Sequence, residues 1–140
     1  MELNEKELGL IITPKKTANY LISKLGKINK SDNILDPCVG PGIFINLLLE
    51  RNINPSQIYA FDINEKYKKS FEDSGINFEI KDSLLNISED DFSKFDFIVG
   101  NPPYLNKNSM YVKRNKKKLK KIYGHINAHE TYSMFIVNSI

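Results

Sequence analysis

Four short apolar runs, each leading into a polar residue, constrain this chain more than any other feature of its sequence. They are NILD (33–36), QIYAFDI (57–63), INFEI (76–80) with Lys81-Asp82 after it, and FDFIV (95–99) with Gly100-Asn101 after it. Each is too short for a stable helix, rich in β-branched and aromatic residues, and bounded by turn formers, so each reads as a strand. Longer segments with helical spacing lie between them. Strand–helix–strand alternation implies a mostly parallel sheet flanked by helices, an α/β fold. In such sheets ligands bind beyond the carboxyl ends of the strands. The residues that end or follow the strands, Asp36, Asp62, Asp82 and Asn101, are therefore the first functional candidates.

The helical segments carry their own signals. In TPKKTANYLISKL (13–25) Thr13 can cap, Pro14 suits the first helical position, and Ala18, Leu21, Ile22 and Leu25 form an apolar stripe. GIFINLLLERN (42–52) is a second helix, and NEKYKKSFEDSG (64–75) a polar third closed by Gly75. A loop or short helix falls near SEDDFSKF (88–95), a basic helix near 112–122 and an apolar one near 130–140.

A chain of 140 residues fits one domain, spanning 1–140, with no repeat and no linker. The single cysteine, Cys38, cannot form an intrachain disulfide and suits a reducing compartment. The acidic, polar start MELNEKELGL is unlike a secretory signal, and the longest apolar run, residues 43–49, is far too short to span a bilayer. A cytoplasmic protein without a membrane partner is expected. Charge is unevenly spread: residues 1–112 hold 13 Lys/Arg against 16 Asp/Glu, whereas residues 113–140 hold 7 against Glu130 alone. All seven lie in VKRNKKKLKK, including Lys113, Arg114, Lys116, Lys117 and Lys118. Such a block attracts phosphates; a solvated helix face in a lysine-rich chain is the competing account.

ILDPCVGPGIFI (34–45) is a strand, an acid, a glycine turn and a helix start. Gly40 and Gly42 permit a tight turn and close approach of backbone to a ligand. Asp62 ends the next strand, 20 residues after Gly42, where a carboxylate can accept both ribose hydroxyls of an adenosine. Asp82 could accept from an exocyclic amine. A nicotinamide cofactor is disfavoured because Ile45 stands where the third glycine of G-x-G-x-x-G belongs. Cys38 reads as a packing residue, and His125, His129 and Glu130 make a poor metal site, so no metal is expected.

The stretch GNPPY (100–104) raises a separate question. Each proline fixes its own φ and has no N–H, and each pushes the residue before it out of the helical region. Asn101 and Pro102 are thereby held extended. A stiff strand end then aims an amide oxygen, backbone carbonyls and the Tyr104 ring at a common point.

Together these residues resemble the adenine-N6 DNA methyltransferases that use S-adenosylmethionine. GLIITPKKTANYLI (9–22) looks like the segment that wraps the cofactor's methionine part, which assigns Thr13 to cofactor binding. DPCVGPGIF looks like the glycine loop, contributing Asp36, Pro37, Gly40 and Gly42; FDIN looks like the ribose acid with its neighbour, Asp62 and Ile63. KDSL resembles the adenine-ring residues, Asp82 and Ser83, and NPPY the catalytic tetrapeptide, with Asn101, Pro102 and Tyr104 catalytic and Asn101 also beside the cofactor. HETYSMFI (129–136) resembles the helix that follows. Val39 and Pro41 depart from the usual glycine loop but leave both glycines.

The resemblance implies a Rossmann-like methyltransferase fold, S-adenosylmethionine as cofactor, double-stranded DNA as partner and a restriction-modification setting. Asn-Pro-Pro-Tyr rather than Ser-Pro-Pro-Tyr implies adenine N6 over cytosine N4. The family's sheet has seven strands and is followed by a target-recognition domain, whereas this chain has room for about four strands. It is expected to be the N-terminal part of a catalytic domain, incomplete at its C-terminus, with a separate chain supplying the remaining strands and target recognition. Strand 95–99 would then become an edge, leaving apolar faces around Ile98, Phe135 and Ile136 exposed. Glutamine methyltransferases acting on release factors and some RNA adenine enzymes also carry N-P-P-Y, and a non-catalytic fragment or binding module is the third alternative.

Overall fold

A computed structural model describes residues 8–86, 89–124 and 131–138. Four strands, β1 (Ile34–Asp36), β2 (Ile58–Asp62), β3 (Asn77–Ile80) and β4 (Phe97–Ile98), pair in the order β3-β2-β1-β4, all parallel. The helices are α1 (Lys15–Ser23), α2 (Ile43–Glu50), α3 (Lys68–Phe71), α4 (Glu89–Phe92), α5 (Met110–Tyr123) and α6 (Thr131–Asn138). The expected α/β fold with a parallel sheet is what the chain forms.

Strand side chains alternate between two faces. Ile34, Ile58, Ala60 and Val99 point to one cluster, closed by Ala18 and Ile22 of α1 and by Phe44, Ile45 and Leu48 of α2. Leu35 and Phe61 point the other way, to Phe92 of α4, with Tyr59, Phe95 and Ile98 against them. Ile34, Leu35, Ile45, Leu48 and Ile58 are fully buried, each worth about 1.5–3 kcal/mol of transfer free energy. A one-residue slip of β1 would exchange its two faces, so the register Ile34↔Ile58 and Ile34↔Phe97 is set by burial. A third cluster, including Leu84, Leu105, Tyr111, Leu119 and Phe135, packs α5 and α6 against the segments that follow β3 and β4.

Several expectations need correction. Thr13 does not cap α1: Pro14 is the N-cap residue and no side chain caps there. The Thr13 hydroxyl is turned to Asn101 instead. Leu21 lies outside the stripe, 42% exposed, because α1 buries only the Ala18–Ile22 line against α2. Residues 64–75 are not one helix. Asn64 caps a single 3₁₀ turn, Glu65–Tyr67, by accepting from the Lys66 N–H, and α3 ends at Phe71. The turn runs straight into α3, whose Phe71 ring presses on Gly42, where φ is +86° and a Cβ would lie 2.4 Å from that ring. The space at Gly42 is thus taken by the chain's own aromatic. The basic helix starts earlier than expected, at Met110, because the Ser109 hydroxyl accepts from the Val112 N–H at 3.3 Å.

β4 pairs with β1 alone and forms an edge of the described sheet, as expected. Ile136 is exposed as anticipated, but Phe135 is buried and Ile98 half-buried. The packing of α6 on α5 covers Phe135, and the aromatic cluster of the second face covers Ile98. No described helix is long and apolar enough to cross a membrane.

Candidate active site

The carboxyl ends of the four strands converge on one open cavity. Its wall takes Pro37 and Cys38 from the turn after β1, Asp62 and Ile63 from the end of β2, Asp82 and Ser83 from after β3, and Asn101 from after β4. This is where the strand order reverses, since β1 is followed in sequence by β2 on one side but lies beside β4 on the other.

Asp62 ties the glycine turn to the sheet. Its Oδ2 accepts the Gly40 N–H and its Oδ1 the Asn64 N–H, both at 2.8 Å. Burial raises its pKa, and these N–H groups oppose the rise. Asp36 lies deeper, only 1% exposed, beneath the turn rather than in the cavity wall. Its Oδ1 accepts the Cys38 N–H at 3.2 Å, and a Cβ at Gly100 would lie 2.8 Å from that same oxygen. Burial pushes the Asp36 carboxyl up to about 8; the Cys38 N–H opposes this and the Asp62 charge adds to it. The Cys38 thiol donates to the Asn101 carbonyl at 3.4 Å. Burial, then the fields of Asp36 and Asp62, raise its pKa, so it stays a thiol and is no nucleophile.

Asp82 is committed twice. Oδ1 accepts from the Leu84 and Leu85 N–H groups at 3.0 and 3.1 Å, and the Tyr111 phenol lies 2.8 Å from Oδ2 and 3.0 Å from Oδ1. The phenol donates, its pKa raised by burial and then by Asp82. Through Tyr111 the basic helix α5 reaches the cavity wall. The Ser83 hydroxyl donates to the Pro37 carbonyl and joins the ends of β3 and β1.

The Asn-Pro-Pro-Tyr loop is held from two distant parts of the chain. Its prolines cannot donate, and the Tyr104 N–H goes to the Gly9 carbonyl at 3.3 Å. The Asn101 side-chain nitrogen donates to the Ile11 carbonyl and to Thr13 Oγ1, each at 3.0 Å. From the other side, the fully buried Thr131 hydroxyl donates to the Pro103 carbonyl. It accepts the Leu105 N–H at 3.0 Å, while the Thr131 N–H donates to the Leu105 carbonyl at 3.1 Å. Two acceptors in the loop, Asn101 Oδ1 and the Pro102 carbonyl, receive no hydrogen bond from any described residue. No buried side-chain nitrogen or oxygen among the described residues lacks a partner, so this Oδ1 is accessible rather than stranded. The Tyr104 ring is 53% exposed, with its centroid 6.1 Å from that of Tyr132 and the planes tilted by 33°.

Of the residues expected at a site, Pro37, Asp62, Ile63, Asp82, Ser83 and Asn101 share the cavity wall; Thr13, Asp36, Gly40, Gly42, Pro102 and Tyr104 do not line it. Lys113, Arg114, Lys116, Lys117 and Lys118 are all exposed, while Tyr111, Leu119 and Tyr123 form the buried side of α5. Sequence reasoning missed Leu10, Tyr67, Lys81, Tyr111 and Phe135 in the wall, and Thr131 behind the loop. The Tyr111–Leu119–Tyr123 spacing marks one helix face and could have suggested Tyr111; nothing local marks Thr131. Among the described residues no group of three or more His, Cys, Asp or Glu could hold a metal ion, and His125, His129 and Glu130 lie outside the described residues.

Comparison with known proteins finds relatives along most of the chain. The Type II methyltransferase M.VspI of Vibrio sp. (strain 343) is 29% identical over 140 residues, covering 94% of this chain and 33% of that protein. The Type II methyltransferase M.HincII of Haemophilus influenzae is 28% identical over 144 residues, 99% of this chain and 26% of that protein. The Type II restriction enzyme and methyltransferase RM.BcgI of Heyndrickxia coagulans is 29% identical over 113 residues, 71% of this chain and 17% of that protein. The chain spans a third or less of the length of these relatives. Residues 15–140 match the Eco57I restriction-modification methylase family, and the chain belongs to that family.

Proposed function

We propose that this chain is the N-terminal part of the catalytic domain of a DNA methyltransferase, acting on adenine N6 of double-stranded DNA with S-adenosylmethionine as donor. The observation that carries the reading is the pair of uncommitted acceptors, Asn101 Oδ1 and the Pro102 carbonyl, in a loop whose Asn101 Nδ2, Asn101 and Pro103 carbonyls and Tyr104 N–H are engaged. An exocyclic amine has two N–H bonds to give. Accepting both draws its nitrogen towards a tetrahedral lone pair, and the positive charge developing there meets dipoles already in place. No strong base is needed.

The cofactor suits the donor set. Each Asp62 oxygen accepts one backbone N–H and has a lone pair left for a ribose hydroxyl. Ile63, Tyr67 and Phe135 supply apolar wall. When bound, it would supply a methyl group on positively charged sulfur, an electrophile that needs no activation. The exposed Tyr104 ring suits stacking on an adenine swung out of the duplex. The exposed lysines of α5 suit its phosphates. A separate or following segment would supply target recognition.

Labelled cofactor offered to duplex DNA, structured RNA and protein in the presence of the full-length protein tests the substrate class. Nucleoside analysis should find N6-methyladenine in the DNA; N4-methylcytosine alone, or label only in RNA or on glutamine, refutes the reading. Within the site, Asn101→Ala should lower the transfer rate by roughly 10²–10³ with cofactor affinity little changed. Asp62→Ala should instead weaken cofactor binding by about 1–3 kcal/mol. The opposite split would reverse the two roles.

A further inference from the structure

We infer that Thr13 and the Ile11 carbonyl are a positioning clamp for Asn101, holding its amide so that Oδ1 rather than Nδ2 is presented. The inference rests on the reading of Asn101 Oδ1 as the acceptor for the target amine. A primary amide has nearly the same shape in its two orientations, with donors at one end and an acceptor at the other. Packing alone therefore does not choose between them, whereas hydrogen bonding does. Nδ2 donates to the Ile11 carbonyl and to Thr13 Oγ1, both at 3.0 Å. A carbonyl can only accept. With the amide reversed, Oδ1 would face the Ile11 oxygen with no proton between them. The Thr13 hydroxyl could serve either orientation, so Ile11 sets the direction and Thr13 adds the second bond.

The clamp is itself anchored. The Gly9 carbonyl accepts the Tyr104 N–H, and Gly9, at φ +71°, packs so closely that a Cβ would lie 2.7 Å from the Leu105 side chain. Residues 9–13 thus run alongside residues 101–105 with contacts at both ends. Donation by Nδ2 also polarises the amide, which strengthens Oδ1 as an acceptor. Thr13 acts through Asn101 and is a positioning residue without touching reacting atoms.

Thr13→Val keeps the shape and removes the hydroxyl, and Thr13→Ser restores it. With asparagine-selective ¹⁵N labelling, the Asn101 side-chain protons, assigned by their loss in Asn101→Ala, should exchange with solvent at least about tenfold more slowly than those of exposed Asn46, the scale of a hydrogen bond of about 1.4 kcal/mol. Thr13→Val should release one proton of the pair to fast exchange, and Thr13→Ser should not. In methyl transfer by the full-length protein, Thr13→Val should lower kcat by about tenfold, and the loss should vanish in an Asn101→Ala background. Fast exchange in the wild type, an unaltered pair in Thr13→Val, or a kcat loss that persists without Asn101 would overturn the clamp. If the wild type methylates no DNA, the reading of the site fails, and the exchange measurement still decides the clamp.

Discussion

Asp36 buries a carboxyl beneath the glycine turn, and that has a measurable cost in alkali. Its pKa rises from 3.8 to about 8, first through burial. The folded chain therefore keeps a proton that the unfolded chain releases. The stability this group permits is complete below about pH 4, declines by up to about 1.4 kcal/mol per pH unit as the pH climbs, and levels off above about pH 8. Asp36→Asn removes the charge at nearly constant shape. Thermal melts of the two proteins should diverge above pH 4, with the asparagine form the more stable, and stop diverging near pH 8. Parallel pH profiles would refute the assignment. At this scale the polar strand ends were legible, because a polar residue closing an apolar run in a parallel sheet has few other reasons to be there. Their partners were not. Nothing near Asp82 announces Tyr111, 29 residues on, and nothing near Asn101 announces Ile11 or Thr13.

Strands were read well because each face of β1 and β2 is buried and the alternation leaves one register. Residues 64–75 form a shorter helical segment than their polar pattern suggests: a 3₁₀ turn at Glu65–Tyr67 leads into α3, which ends at Phe71, and Gly75 follows at positive φ. The basic helix is the element whose role is most open to direct test. Its buried side is Tyr111, Leu119 and Tyr123, and its lysines are all exposed, so charge changes there leave the packing alone. Neutralising Lys116, Lys117 and Lys118 together should weaken binding to duplexes of any sequence. It should also reduce the slope of log affinity against log salt by roughly one unit for each phosphate no longer neutralised. An unchanged slope would return the helix to a solvated surface.

For the molecule as a whole, the edge of β4 that pairs with no described strand matters most. The strand pairs with β1 on one side, and no described strand covers the other. An open edge recruits a further strand. The 140-residue chain on its own is therefore expected to self-associate at micromolar concentration and to bind cofactor without methylating DNA. Light scattering and a labelled-methyl assay check both parts; a stable monomer with site-specific activity would contradict them. The burial of Phe135 and the partial cover of Ile98 narrow the surface responsible to the β4 backbone and the neighbourhood of Ile136.

The loop that carries Asn101 is fastened by residues 90 and 88 positions earlier, Ile11 and Thr13, and by one 26 positions after Leu105, Thr131. Contacts of such sequence separation form late, after the loop closures they depend on. Chains are also made from the N-terminus, so each of the four described strands emerges before Thr131 does. A nascent chain can assemble β1 to β4 while the turn after β4 is still loose. The order of events in folding thus runs opposite to their importance for chemistry: the described strands come first, and the loop beside the acceptor pair is fastened at Pro103 and Leu105 only once Thr131 has followed.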